Sequence, residues 1–237
     1  MILIRKLKQL YIELKNSNFY RKMDERPFFT ELILIIMAFI YLFGLLTNTS
    51  QIIITNGAMI KPLIIYYGEW WRFITPIFIH LGFLHILMNG ISLYYVGIQI
   101  EKIFGHIRFL TIFMLSGIMG NIISFAFSSG LSAGASTAIF GLFGVFLMLG
   151  ENFRDNFAVR QMSQSFLLLI IVNIVFDLLS SGIDIAGHLG GLIGGFFIPY
   201  FIGIPNYKMN KSKKILSFVV LMIIIIFCLK TGYMSNN

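Results

Sequence analysis

Cysteine is nearly absent from this chain. Cys228, inside an apolar run, is the only one among 237 residues, so an intrachain disulfide is excluded and we do not expect thiol chemistry to be the basis of function. The chain also lacks the H-E-x-x-H pattern in which two histidines of a helix bind zinc. Three of its four histidines, His80, His85 and His188, could in principle gather a metal, but the sequence favours neither a metal site nor a cofactor.

Charged side chains are scarce as well. Asp, Glu, Lys and Arg make up 12% of the residues, whereas 57% are hydrophobic. A soluble domain has roughly 25% charged residues, so this composition excludes a soluble globular domain. Several apolar runs reach the length of about 20 residues with which a helix crosses a bilayer. The sequence therefore predicts an all-α polytopic membrane protein.

The apolar runs predict seven spans in one membrane domain. The fourth and fifth are short for a full crossing. No internal repeat or low-complexity tract is present in the chain. In order, the predicted spans are Phe28–Leu46, Leu81–Ile100, Ile107–Ser128, Ser136–Gly150, Ser165–Leu179, Ile185–Ile204 and Ile215–Leu229.

Lysine and arginine are distributed unevenly about these spans. With the N-terminus inside, 15 of the 18 lie in segments on the inner side, and the outer segments contain Lys61, Arg72 and Lys230. The positive-inside rule therefore predicts a cytoplasmic N-terminus and an outer C-terminus. The same distribution accounts for the net charge of +8, so we expect a lipid bilayer and no nucleic acid as partner.

This topology divides the chain into three segments. Residues 1–27 are predicted to form a basic amphipathic cytosolic segment on the membrane surface. Residues 28–204 form a six-helix membrane domain, and residues 205–237 an inner loop, a seventh transmembrane helix and a short outer tail. The long loop 47–80 is mostly apolar and contains both tryptophans, so we expect it to lie in the outer interface. It either helps to admit a membrane-embedded partner or forms a simple interfacial belt.

Polar side chains occupy the starts of three spans. Ser136 opens the fourth span after a glycine- and serine-rich loop, and His188 lies one turn inside the sixth. His85 and Asn89 share one helical face at the start of the second. Because these spans run in the same direction, all four groups are expected at one depth, just below the outer surface. Ser136 alone would be interpreted as a helix N-cap, but together the four predict a water-accessible site with a nucleophile, a base and oxyanion donors.

Glycines accompany two of these residues at helical spacing. Gly191 and Gly195 lie on the same face as His188, and Gly141 and Gly144 give the fourth span a similarly smooth surface. Small residues let the backbones of neighbouring membrane helices approach closely. We therefore expect the fourth span to pack directly against the sixth.

Taken in order, these motifs resemble those of the rhomboid family of intramembrane serine proteases. The similarity covers residues 28–204. It implies a rhomboid-like six-helix core with a C-terminal seventh transmembrane helix, as in the bacterial 6+1 variants. The motifs are Trp71-Arg72, His85-x-x-x-Asn89, Glu101-x-x-x-Gly105, Gly134-Ala135-Ser136, and Ala186-Gly187-His188 with Gly191 and Gly195.

The resemblance implies a role for each motif residue. Ser136 would be the nucleophile and His188 its general base, a dyad without an acid. His85, Asn89 and the Ser136 backbone N–H would form the oxyanion hole. Four further residues would support the active site: Gly134, Phe140, Gly191 and Gly195.

At one position the chain departs from the family, which usually has glycine directly after the serine. Thr137 could crowd the sixth span with its Cβ branch, or its hydroxyl could bond back to the backbone. We expect its side chain to point away, toward solvent or the loop, and to leave the dyad unaffected.

Four other residues have more than one interpretation. Phe140 could stack under His188 and fix its ring, or be a plain core aromatic. His80 does not share the face of the predicted oxyanion histidine, so we expect a contact with a loop or a neighbouring side chain rather than catalysis. His106 falls in an inner loop, where we expect exposure to solvent. Asp177, near the outer end of the fifth span, could orient His188, but a structural partner is the interpretation we favour.

The resemblance implies a serine endopeptidase that cleaves transmembrane-anchored proteins near the outer membrane face. Abundant Ile, Lys and Asn indicate an AT-rich bacterial genome, which predicts the plasma membrane as the location. The alternative is a proteolytically inactive rhomboid-like protein that binds membrane helices, and Thr137 is the one residue that favours it. A transporter is disfavoured, because the polar residues lie at one outer depth instead of the midplane and no repeat symmetry is present.

Overall fold

A computed structural model describes residues 26–180 and 182–235. Within these ranges the chain forms nine α-helices, two short 3₁₀ helices and no strand. The predicted basic segment lies almost wholly in residues 1–25, outside the described residues. The all-α prediction is confirmed. The helices are α1 (Phe28–Leu46), α2 (Ser50–Gly57), α3 (Lys61–Tyr67), α4 (Phe83–Phe104), α5 (His106–Phe127), α6 (Ser136–Asn152), α7 (Phe157–Leu179), α8 (Ile185–Ile202) and α9 (Lys211–Met234).

Six helices of the described ranges are long and apolar enough to cross a membrane: α1, α4, α5, α7, α8 and α9. The helix predicted as the fourth span, α6, has only 17 residues. Ala135, which precedes it, is fully buried, so α6 begins inside the protein and not at its surface. The chain is thus a multi-pass membrane protein with a short central helix.

Two predicted spans begin too late. The fifth begins at Phe157 and not at Ser165, because Asn156 caps the helix by accepting a hydrogen bond from Val159 N at 3.2 Å. The seventh runs from Lys211 to Met234, and Asn210 caps its start in the same way. Hydrophobic runs locate the apolar part of a helix, whereas side-chain caps set where its hydrogen bonding begins.

The helices α5, α6 and α8 form the centre of the bundle. On this centre, α7 packs against α6, α9 against α5 and α8, and α1 against α4. Between α6 and α8 the backbones touch. A Cβ atom at Gly191 would lie 1.8 Å from Thr137 O, and one at Gly195 would lie 1.7 Å from Gly141 O. Because no side chain fits there, glycine is what allows these two helices to meet.

The loop between α1 and α4 is folded around one buried arginine. Arg72, 1% exposed, donates from Nη1 to Ala58 O at 2.6 Å and from Nη2 to Thr55 O at 2.9 Å. Its Nε donates to Glu69 at 2.6 Å. Because each of its three nitrogens bonds to a different residue of the loop, the guanidinium of Arg72 holds the loop in one arrangement. How the loop lies in the membrane interface stays a prediction.

Glu101, near the end of α4, caps the start of α1. Its carboxylate accepts hydrogen bonds from Phe29 N and Thr30 N, both at 2.8 Å, and from Thr30 Oγ1 at 2.6 Å. Such charge-assisted bonds to the first amides of a helix are favourable. His106 Nδ1 also lies 2.6 Å from Glu101. The prediction that His106 is merely solvated is therefore wrong, because α5 begins directly after Gly105 and carries His106 back to Glu101.

We expect Glu101→Ala to lower the free energy of unfolding by about 2–6 kcal/mol, since two backbone N–H groups would lose their partner at about 1–3 kcal/mol each. The measurement is reversible unfolding in mixed micelles. Gln99→Ala is the control, because Gln99 is exposed and donates only to Tyr95 O of its own helix among the described residues. Equal stability of the two variants would contradict the capping role.

Candidate active site

The loop before α6 is anchored by backbone and side-chain hydrogen bonds to the loop between α1 and α4, which is the first loop of the chain. Met59 and Ser132 exchange backbone hydrogen bonds of 2.8 and 3.1 Å. Gly134 N donates to Pro76 O at 2.9 Å. Ala135 N donates to His80 Nε2 at 3.4 Å. These bonds fix the turn that leads into Ser136, which is half-buried at the start of α6.

Gly134 lies directly against the imidazole of His85. Its φ of +124° is a backbone conformation that side-chain-bearing residues rarely adopt. A Cβ atom at this position would lie 2.5 Å from His85 Nε2 and 3.7 Å from Asn89 Nδ2. Asn89 Nδ2 donates to His85 O at 2.9 Å. The start of α4 is thereby brought to the turn that precedes Ser136.

His188, 7% exposed, is held between two side chains from different helices. The ring of Phe140 stacks on it with centroids 4.3 Å apart and an interplanar angle of 11°. Asp177 Oδ2, on α7, lies 2.7 Å from His188 Nδ1. The contact with Asp177 joins the fifth and sixth spans, and it gives the histidine an acidic partner that the expected dyad does not include.

Thr137 points into the protein and is 2% exposed, so the expectation that it faces solvent or the loop is wrong. Two glycines of neighbouring helices make room for it. A Cβ atom at Gly120 would lie 2.7 Å from Thr137 Cβ, and one at Gly187 would lie 3.1 Å from Thr137 Cγ2. Thr137 Oγ1 is buried without a hydrogen-bond partner in the described part of the chain. The β-branched side chain of Thr137 therefore fits beside these two glycines, and the backbones of α6 and α8 stay in contact.

His80 contacts both the loop and a neighbouring side chain, as its position in the sequence indicates. Its ring centroid lies 5.1 Å from that of His85, and its Nε2 accepts from Ala135 N. Burial and, secondarily, the neighbouring His85 lower the pKa of His80 to about 3. A neutral ring leaves Nε2 free to accept this hydrogen bond.

The contacts place Ser136 between two sets of predicted site residues. Gly134, two residues before it, touches His85, and Phe140, one turn after it, stacks on His188. Ser136 therefore lies where α4, α6 and α8 meet. Among the described residues, no three His, Cys, Asp or Glu side chains are grouped so that they could hold a metal ion. The arrangement offers a hydroxyl, an imidazole and amide donors at one end of a helical bundle.

Such a bundle defines a class of polytopic membrane proteins with a polar site among their helices. Comparison with known proteins makes the class specific. The Rhomboid domain model matches residues 67–205. The chain belongs to the rhomboid family.

Curated relatives agree with this assignment. The chain is 38% identical to "Rhomboid protease GluP" of Bacillus subtilis (strain 168) over 215 residues, which are 90% of this chain and 42% of that protein. It is 35% identical to "Putative rhomboid protease YdcA" of the same organism over 170 residues, 71% of this chain and 85% of that protein. With "RHOMBOID-like protein 1" of Arabidopsis thaliana the identity is 33% over 174 residues, 71% of this chain and 44% of that protein. This chain thus spans less than half the length of GluP and of the Arabidopsis protein.

Two features of the site were missed or undervalued by sequence reasoning. The pocket for Thr137 requires Gly120. The sequence signal for a close helix contact there is the spacing of Gly117 and Gly120, one turn apart in the third span. The contact of Asp177 with His188 had a clearer signal. A carboxylate inside an apolar span is costly, so it calls for a polar partner near it in the fold.

We expect Gly120→Ala to destabilise the protein by about 1–3 kcal/mol, because overpacking a tight helix contact forces backbone shifts. The new Cβ would lie 2.6 Å from Gly187 O and 2.7 Å from Thr137 Cβ. Unfolding in mixed micelles measures the effect. Gly90→Ala is the control, since its Cβ would meet Leu34 Cδ2 at an ordinary 3.8 Å. If both variants unfold alike, the proposed accommodation of Thr137 is incorrect.

Proposed function

We propose that this protein is an intramembrane serine endopeptidase that uses Ser136 as nucleophile and His188 as general base. The observation that carries the proposal is the position of Ser136. It follows a glycine that touches His85 and precedes by one turn the phenylalanine that stacks on His188. The names of the relatives, which describe rhomboid proteases, support the same activity.

The chemical steps follow from these groups. His188 Nε2 takes the proton of Ser136 Oγ as the oxygen attacks the carbonyl carbon of the scissile peptide bond. The imidazolium then gives this proton to the leaving amine nitrogen, and an acyl-enzyme remains on Ser136. Water, deprotonated by the same imidazole, attacks the ester carbonyl, and the imidazolium returns the proton to Ser136 Oγ as the bond between that oxygen and the acyl carbon breaks. The stacked Phe140 keeps the ring in one plane throughout.

The oxyanion of the tetrahedral intermediate needs donors that are already in place. We assign this role to His85, Asn89 and the backbone N–H of Ser136. The side chains of the first two converge on the Gly134 turn. The N-terminus of α6 adds partial positive charge at the same point. Four residues support the site. Gly134 leaves room for His85, Gly191 and Gly195 allow the backbones of α6 and α8 to meet, and Phe140 stacks on His188.

The substrates proposed here are proteins with a transmembrane anchor, cleaved near the outer face of a bacterial plasma membrane. The positive-inside distribution supports a cytoplasmic N-terminus and an outer C-terminus, which puts the starts of α4, α6 and α8 on the outer side. The starts of these helices are where the polar groups lie, so cleavage would occur at shallow depth.

We expect two variants, Ser136→Ala and His188→Ala, to lose both cleavage of a single-span substrate and covalent labelling by a fluorophosphonate. Cleavage and labelling each require an activated serine hydroxyl. Ser129→Ala, in the exposed part of the same loop, is the matched control and should react as wild type does. Labelling is measured by mass spectrometry of the intact protein in detergent.

Substantial cleavage by either active-site variant would rule out the dyad. A wild type that neither cleaves nor labels, but gains labelling on Thr137→Gly, would instead identify the inactive helix-binding alternative. The buried hydroxyl of Thr137 is the feature that would then account for silencing.

His85→Ala and Asn89→Ala should each lower kcat on the order of 10²–10³-fold, the usual loss for one oxyanion donor, while labelling of Ser136 stays detectable. The measurement is initial-rate kinetics with a purified transmembrane substrate. Gln99→Ala, further along α4 and exposed, is the control. Full activity in both variants would leave these two residues with a structural role only.

A further inference from the structure

Asp177 is a buried carboxylate on a helix that otherwise packs little against the protein. Among the described residues of α7, only Ile170 and Asp177 are buried. Asp177 is 5% exposed, and its Oδ2 lies 2.7 Å from His188 Nδ1. Burying an unpaired carboxylate is costly, so the position makes physical sense only with a proton donor opposite it. His188 supplies that donor.

We propose that Asp177 is a positioning residue that accepts the Nδ1–H of His188 and so leaves Nε2 unprotonated toward Ser136. The proposal rests on the function proposed above. It turns the dyad into a Ser136–His188–Asp177 arrangement, in which the acid comes from the fifth span. The sequence alone favours a structural role for Asp177, whereas its 2.7 Å contact with His188 Nδ1 favours positioning of the base.

Two contacts of different kinds constrain the imidazole. Phe140 lies flat against one face of the ring, which limits tilting. Asp177 bonds to one edge atom, which limits rotation of the ring about its own axis. A neutral imidazole carries its proton on one nitrogen or the other, and the hydrogen bond at Nδ1 selects which. With Nδ1 protonated, Nε2 has the lone pair that a general base requires.

No step in the proton balance transfers a proton to Asp177. The proton leaves Ser136 Oγ for His188 Nε2, while the Nδ1 proton stays in its bond to Asp177. The positive charge of the resulting imidazolium then lies beside a carboxylate. The same Nε2 proton passes to the leaving amine nitrogen, which returns the imidazole to its starting tautomer.

The other charged or titratable groups near His188 include one that can serve as a control for Asp177. Asp184 lies four residues earlier, where its Oδ1 caps α8 by accepting from Gly187 N at 3.0 Å. On the α4 side, the imidazole of His85 lies against Gly134, two residues before Ser136. Near the site, α6 contributes no charged residue, and those of α5 lie at its opposite end. Asp184→Asn is therefore a matched control that removes a nearby negative charge, keeps a good capping residue and leaves Nδ1 bonded.

The first test is kinetic. Asp177→Ala and Asp177→Asn should lower kcat on the order of 10²–10⁴-fold, the contribution of general base catalysis, with KM within about twofold. Asp184→Asn and Asn173→Ala should stay within about fivefold of wild type, since Asn caps helices as well as Asp and Asn173 bonds to Leu169 O of its own helix. Unchanged kcat in both Asp177 variants, or a loss equal to that of Asp184→Asn, would overturn the proposal.

The second test does not need activity. Nitrogen NMR of the protein labelled with ¹⁵N-histidine, with His188 assigned by its loss in His188→Gln, reports which ring nitrogen is protonated. Wild type should show Nδ1–H, and Asp177→Ala should shift the population toward Nε2–H. An Nε2–H tautomer in wild type, or identical tautomers in both proteins, would overturn the positioning role. An inactive wild type would defeat the proposed function, and this spectrum would still decide the tautomer.

Discussion

The contact between the backbones of α6 and α8 is the constraint on which the site depends. Carbonyl oxygens of Thr137 and Gly141 occupy the space where side chains of Gly191 and Gly195 would lie. In a bilayer, association of helices relies on such close packing, because apolar side chains gain little by leaving lipid. The contact also sets the register of the two helices, so that Phe140 meets the ring of His188 and the first turn of α6 meets the first turns of α8.

Around this contact, polar groups arrive from three further directions. The first loop fixes the turn before Ser136 through Pro76 O and His80. The start of α4 brings His85 against Gly134, and α7 brings Asp177 to the far side of His188. His80 and Asp177 are buried and His85 is half-buried, and in such surroundings an unpaired polar group is expensive. The same cost that makes polar residues rare in membranes makes their geometry well defined here.

Hydrophobic runs predict the spans, and glycines at helical spacing predict that the fourth span packs against the sixth, as α6 and α8 do. The stacking of Phe140 on His188 could also be inferred from the sequence. Contacts that no regular spacing marks could not be predicted in this way. The room for Thr137 depends on α5 and α8 together, and the bond from Ala135 to His80 joins two loops. The predicted start of the fifth span is too late because Arg160, Gln161, Ser163 and Gln164 interrupt the apolar pattern in the first turns of α7.

The most direct test of the account is an experimental structure of the protein after reaction with a fluorophosphonate. We predict phosphorus bonded to Ser136 Oγ, with His188 Nε2 within about 2.6–3.2 Å of an oxygen on the adduct. The phosphoryl oxygen should lie about 2.7–3.1 Å from donors on His85 and Asn89. An unmodified Ser136 after full exposure to the probe, or an adduct whose oxygen points away from α4, would contradict the account.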